Sequence, residues 1–358
     1  MVKHIDSGLF QMGGATLKQD TISGSAIMAR ARTEADVIEV LKTDIYARSG
    51  VWDLDKVQMI PGKSLVLGEV ELPPLKEHQV YVKVEYAAFN PTDREIKGLG
   101  AYSAYTIADE RLSFKIPDQI SAPQASSVPL AANTAWLALF SGDCLALSRD
   151  SSAKKTPLLI WGGSSAVGQF TIQFAKLYGI EVVTTCSPQK FALAKSAGAT
   201  HVFDYSDTEV VSKIKAAVPD LQHVFDTIGN ATSSETAAQA IGKPGGVLCT
   251  VRPGKANTED VPSTIKVTDV FVFTAFPTEH NYRGKAHWPV KMADHKLSSE
   301  MHDQLESLLG NGSLTPIPIR VLGKLSPSTV EEAMKTNREG RISREKLVFE
   351  GFSKQAYE

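Results

Sequence analysis

The sequence predicts an α/β protein: a doubly wound parallel sheet with a second, smaller domain. An apolar strand, Leu158 to Trp161, runs straight into the small-residue turn Gly162-Gly163-Ser164-Ser165 and then into a helical pattern. Short strands, apolar on both faces, then alternate with amphipathic stretches over about a hundred residues, the pattern of a parallel sheet covered by helices on both sides. The chain has 358 residues with 42% hydrophobic content, enough for about two cores.

The turn is where a dinucleotide diphosphate would sit. Backbone N–H groups must come close to phosphate oxygens, so bulky side chains are excluded, and the helix opened by the turn aims its positive end at the anion. Gly163, Ser165 and Gly168 hold the three spaced positions, with serine in place of the middle glycine. Residues 169–179 read as the helix, stopped by a glycine, and 180–185 as the second strand, completing a strand–turn–helix–strand unit of about thirty residues. Its tip, Cys186-Ser187-Pro188-Gln189-Lys190, carries a hydroxyl and an ammonium but no acid. An enzyme reading the bare ribose of NAD places an acid there, so the tip favours the ribose phosphate of NADP(H). A helix-capping Ser187 beside a solvated Lys190 accounts for the same residues. Helices are then expected over 191–198, 208–218 and 233–241, and strands over 200–205, 222–228, 245–251 and 270–276.

A net charge of −2, with scattered basic residues, argues against nucleic acid or an anionic membrane as partner. No apolar run is long enough to span a bilayer and no secretory pattern opens the chain, so the cytoplasm is the expected location. The three cysteines are widely separated and the eight histidines do not pair with them, which suggests neither a disulfide framework nor a zinc site.

Several separated motifs occur in a recognisable order: Asn90-Pro91-Thr92-Asp93, the turn from Ser164 to Gly168, Cys186-Ser187-Pro188, Gly198-Ala199 with Val202 to Tyr205, Ala240-Ile241-Gly242 with Gly245-Gly246, and Gly340 to Val348. Over about residues 60–350 the chain resembles the zinc-independent medium-chain dehydrogenase/reductases. Within them it is most similar to the fungal trans-acting enoyl reductases of polyketide synthases and their quinone-oxidoreductase-like relatives. The resemblance implies a Rossmann NADP(H)-binding domain over 126–309, a GroES-like β-barrel catalytic domain over 59–125 plus 310–358, and an N-terminal extension over 1–58. It implies that Ser164, Ser165, Ala166 and Val167 hold the diphosphate, and that Ser187 and Lys190 hold the ribose phosphate, with Tyr205 on the adenosine side. Asn90 and Asp93 would approach the nicotinamide end, Ile241 and Gly242 the nicotinamide ribose, and Ile342 with Ser343 would close over the cofactor. Pro129, Thr134, Phe271, Phe273, Thr274 and Phe276 would border the substrate, and Tyr102 and Thr134 are the candidates for a catalytic hydroxyl. Packing in a strand accounts for Tyr102 as well, and a bond to its own helix backbone accounts for Thr134.

The front half departs from the family. The stretches 61–74 and 79–89 look like opening strands of the barrel, but the chain passes from Gly100 directly into Ala101 to Thr106, which looks like a much later strand, so the barrel is shortened and incomplete. Residues 34–46 carry Ala35, Ile38, Leu41 and Ile45 at helical spacing, a stripe suited either to packing over an open barrel or to an ordinary surface helix. The implied activity is NADPH-dependent enoyl reduction in secondary metabolism, on a small-molecule or carrier-bound chain supplied by a polyketide synthase, by a monomer or homodimer. Turnover of free quinones or enones, or a non-reducing protein that keeps the fold, are the alternatives.

Overall fold

The computed structural model of the chain describes residues 10–18, 21–29, 73–90, 100–150, 152, 156–282, 286–342 and 345–352. The stripe over 34–46, Asp93, Ser343 and nearly all of the strand expected over 61–74 lie outside them. The chain divides into two compact units, Met1–Glu69 and Val70–Glu358. In the first, β1 (Phe10–Lys18) and β2 (Thr21–Ala29) pair antiparallel, with Lys18 opposite Thr21 and Phe10 opposite Ala29. Three glycines and four serines or threonines dilute any alternation along these strands, so sequence patterning does not announce them.

The second unit opens with β3 (Gln79–Lys83), β4 (Tyr86–Ala88) and β5 (Tyr105–Asp109), of which β3 and β5 pair antiparallel. Ser121 then caps the short helix α1 (Ala122–Ser126), exchanging bonds with Gln124 in a capping box. Next comes α2 (Pro129–Phe140), in which every residue from Ala131 to Phe140 is buried. A helix apolar all round has no solvent face to offer and belongs inside. Trp136 at its centre is wholly buried, edge-on to Phe140, Phe174 and Tyr178 at 4.7, 5.1 and 5.8 Å, with its indole N–H donated to the Leu297 carbonyl at 2.9 Å.

The main sheet has six parallel strands: β6 (Leu158–Trp161), β7 (Val182–Cys186), β8 (His201–Asp204), β9 (His223–Asp226), β10 (Val247–Thr250) and β11 (Lys266–Asp269). Their order is β11-β10-β9-β6-β7-β8, so the chain starts at the centre, moves out through β7 and β8, and returns to the other side of β6. That reversal opens a crevice between β6 and β9 at their carboxyl ends, the usual ligand site of such sheets. The connecting helices α3 (Ala166–Leu177), α4 (Phe191–Ala197), α5 (Val210–Ala217) and α6 (Ser233–Gln239) cover both faces. Alternate residues of the strands feed two cores. Leu158, Ile160, Phe225 and Cys249 join α2 and α3, while Leu159, Trp161, Val224 and Leu248 join α5 and α6.

One expected strand is absent. The sheet edge is β11, four residues upstream of the predicted position, and 270–276 instead turns through a 3-10 helix, Val272–Ala275. The turn is held by Thr274 N–H to Phe271 O and Phe276 N–H to Phe273 O, both 3.0 Å, while the Thr274 hydroxyl reaches Asp294 at 2.7 Å. An apolar run is ambiguous between strand and buried turn, and this buried hydroxyl–carboxylate bond favours the turn. The chain continues through β12 (His280–Tyr282), β13 (Ala286–Trp288) and α7 (Met292–Gly310), which packs on α2. It ends with β14 (Ile319–Lys324), α8 (Pro327–Arg338) and β15 (Lys346–Glu350). β15 pairs parallel with β14 and antiparallel with β4, so residues near the front and end of this unit share one small sheet, separate from the six-stranded one.

Candidate functional site

The turn between β6 and α3 is built from glycines that leave no room for a side chain. A Cβ on Gly163 would lie 2.0 Å from the Thr184 hydroxyl, and one on Gly168 would lie 2.4 Å from the Gly162 carbonyl and 2.8 Å from the Gly163 Cα. Gly162, at φ +91°, takes the left-handed step and donates its N–H to the Thr185 hydroxyl at 3.2 Å. Ser165 does not stand in for a glycine against phosphate. Its hydroxyl oxygen caps α3, accepting the Gly168 N–H at 2.9 Å, and its proton goes to the Thr227 hydroxyl oxygen at 2.9 Å. The amides of Ala166 and Val167 have no hydrogen-bond partner among the described residues, so the first turn of a twelve-residue helix presents unspent donors at the crevice. Close glycine packing with outward amides suits a dinucleotide diphosphate.

At the tip of β7, Ser187 makes no capping bond, and neither its hydroxyl nor the half-buried Lys190 ammonium has a partner among the described residues. Asp204, the acid at the tip of the next strand, is committed to Ser206, accepting from its N–H at 2.9 Å and its hydroxyl at 2.7 Å. Tyr205 beside it is 56% exposed. A hydroxyl and an ammonium are thus available at this tip, while Asp204 on the next strand turns one carboxylate oxygen to Ser206.

Two expected cofactor residues sit at the wrong end of the sheet. Ile241 and Gly242 follow α6 and lie below the start of β9: the Gly242 N–H donates to Leu221 O at 3.0 Å, and a Cβ on Gly242 would fall 2.2 Å from Pro219 O. Parallel strands put both residues opposite the carboxyl-end crevice, so they are removed from the site. Sequence reading missed the residues that do line that rim. After β9, Ile228 covers Gly162, since a Cβ there would meet the Ile228 Cδ1 at 2.5 Å. The loop is pinned by Asp226, a wholly buried carboxylate that accepts from the amides of Ile228 and Gly229 at 2.9 and 3.1 Å and from the hydroxyls of Ser233 and Ser234 at 2.6 and 2.7 Å. An acid ending an apolar strand, followed by glycine and a serine pair, was the available signal. After β10, Arg252 lies across Gly229, donating its Nε–H to the Gly229 carbonyl at 2.6 Å.

The remaining candidates divide. Asn90 is buried, donates to Ala88 O at 3.1 Å and accepts from the Lys346 ammonium, so it ties its loop to β15. Ile342 is half-buried in the segment before β15, and Pro129 opens α2. The Thr134 hydroxyl donates to Leu130 O at 2.7 Å within its own helix, and Tyr102 packs edge-on to Phe349 at 5.3 Å. Neither observation gives a catalytic role. Phe271 stacks on Trp288 at 4.2 Å and meets Phe273 at 5.2 Å, while Phe276 is 40% exposed. Thr274 faces inward: Asp294 takes its hydroxyl and also that of Ser141, at 2.6 Å. The small cavity bordered by Phe271 and Thr274 has room for about one water and shares its wall with Cys144, Asp269, Lys291 and Asp294, a lining unsuited to an acyl chain.

The profile of a family described as zinc-binding dehydrogenase matches residues 166–282. Among the described residues no three His, Cys, Asp or Glu side chains converge as a metal site. A trans-enoyl reductase of Gibberella fujikuroi is 33% identical over 266 residues, 73% of each chain. Among solved structures, a Rhizobium etli protein of the zinc-dependent alcohol dehydrogenase type superposes with TM-score 0.64 at 21% identity, covering 79% of this chain and 92% of the other. A mycobacterial protein solved with NADPH superposes with TM-score 0.58 at 18% identity, covering 79% and 94%.

Proposed function

The chain belongs to the trans-enoyl reductase family of medium-chain dehydrogenase/reductases, and on that premise we propose that it reduces the activated C=C bond of an acyl chain presented as a thioester, using NADPH and acting with a polyketide synthase. The observation that carries the cofactor choice is the acid-free tip of β7, where the Ser187 hydroxyl and Lys190 ammonium stand unpartnered while Asp204 is held by Ser206. A relative solved with NADPH supports the same choice.

When bound, NADPH would supply the hydride for reduction of the enoyl group. The protein's part is to bind and orient. The Ala166 and Val167 amides would hold the diphosphate and Ser187 with Lys190 the ribose phosphate, while the Asp226-pinned loop with Ile228 would give the rest of the cofactor a fixed floor. Because this floor is rigid before anything binds, little reorganisation is needed when charge develops in the substrate. We assign residues 126–309 to the cofactor domain and 59–125 with 310–358 to the catalytic one; the pairing of β4 with β15 supports joining those two segments. The experiment is NADPH oxidation followed with a 2-enoyl thioester, alone and with the partner synthase, beside calorimetric NADPH binding. Turnover supports the proposal. NADPH binding with no turnover of carrier-bound or free thioesters, enones or quinones would assign the chain to a non-reducing role.

A further inference from the structure

Arg252 stands out among the cations at the carboxyl ends of the strands. It is exposed, yet its side chain is not loose: the Nε–H is donated to Gly229 O at 2.6 Å, and Asn257 Nδ2 donates to the same carbonyl at 2.8 Å. The side chain lies close against Gly229, where a Cβ would fall 2.5 Å from the Arg252 Cγ and where φ is +59°. Gly229 is in turn fixed through its amide by the buried Asp226. The guanidinium therefore has a set position, and its two Nη groups have no hydrogen bond or carboxylate partner among the described residues. An arginine packed for solubility would be free to rotate, and one packed for stability would meet an acid. Here one N–H is spent on positioning and the planar fork is left over, the arrangement that recognises a phosphate oxyanion.

Its place in the sheet narrows the ligand. Ile228 bridges Gly162 of the phosphate turn to Gly229, and Gly229 carries Arg252, so the guanidinium is the next feature along the rim from the dinucleotide turn. Two strand spacings separate β10 from β6, about 10 Å. We propose that Arg252 is an anion anchor of this site, binding a phosphate group at the nicotinamide side of the crevice. Two phosphates carry the chemistry such an anchor would take, and the test separates them: the dinucleotide diphosphate and the phosphopantetheine-type arm of a carried thioester. The inference rests on the reductase reading only for the second source.

The test uses the full chain with Arg252→Gln, which keeps a donor for the Gly229 carbonyl but removes the charge, and Arg252→Lys, which restores the charge without the fork. Calorimetry gives the affinities for NADPH and coenzyme A, and turnover compares a coenzyme A thioester with the N-acetylcysteamine thioester of the same acyl group, which has no phosphate. If the dinucleotide is the source, Arg252→Gln weakens NADPH tenfold or more, with partial recovery in Arg252→Lys. If the arm is the source, NADPH affinity is unchanged, coenzyme A affinity falls and KM rises tenfold for the coenzyme A thioester alone. Changes under twofold in every affinity and KM, or a loss that only follows a lowered melting temperature, overturn the proposal. Because both binding measurements proceed without turnover, a wild-type chain that reduces nothing refutes the reductase reading and still leaves Arg252 judged by its isotherms.

Discussion

Gly168→Ala tests the phosphate turn more sharply than any charge change, because the substitution adds one methyl group and its collision partners are backbone. The new Cβ would sit 2.4 Å from the Gly162 carbonyl oxygen and 2.8 Å from the Gly163 Cα. To reach van der Waals separation, the strand end or the first turn of α3 must withdraw by about 0.6–1 Å. Gly162 and Gly163 are bonded to Thr185, and Ser165 is bonded to both Gly168 and Thr227, so the displacement strains four hydrogen bonds at once. Overpacking of this kind costs about 1–3 kcal/mol of stability. The same shift moves the Ala166 and Val167 amides off their common target, and losing one charge-assisted contact of about 1.5–3 kcal/mol weakens the dinucleotide by roughly tenfold to a hundredfold. Gly142→Ala is the control, since nothing lies within 4 Å of its Cβ and its φ is not left-handed. Urea denaturation and NADPH calorimetry on both variants provide the measurements. Native stability together with native NADPH affinity in Gly168→Ala would refute the assignment of the turn as a packed phosphate cradle.

Lys190→Glu should reduce or invert the preference for NADPH over NADH, read as the ratio of calorimetric affinities; an unchanged ratio removes Lys190 from the ribose-phosphate site. Trp136→Ala should destabilise the chain by about 3–5 kcal/mol, seen in its urea midpoint, because the wholly buried ring touches α3 and α7 and no solvent can fill the void. Burial holds the imidazoles of His302, His223 and His280 below their ordinary value of 6.5. The unfolded chain then binds more protons than the folded one as pH falls through 6.5 towards the lowered values, so stability should decline across that window. In His302→Gln the pH dependence of the urea midpoint should be shallower, and an unchanged slope would contradict it.

The sheet and its helices were legible because their signals are local: two-faced apolar strands, glycine stops and a small-residue turn each act within a few residues. What failed was position relative to the sheet. The order of Ala240-Ile241-Gly242 says nothing about which end of a strand it occupies, and only the bond from Gly242 to Leu221 shows that it lies at the amino end. The strand expected over 270–276 failed because its conformation depends on Asp294, some twenty residues downstream, gathering the hydroxyls of Thr274 and Ser141. Arg252 and Asp226 were invisible for a similar reason: a guanidinium and a carboxylate acquire meaning from the carbonyl and amides they meet across Gly229.

The pairing of β4 with β15 has a temporal consequence. Tyr86 to Ala88 cannot acquire their sheet partners until residues 348–350 have been synthesised, roughly 13–50 s later at 5–20 residues per second. Throughout that interval the six-stranded sheet, whose strand pairings all fall between residues 158 and 269, can already form its ladders. The small sheet therefore completes after the ladders of the large one, and the β4 edge stays unpaired by β15 until Phe349 arrives opposite Ala87.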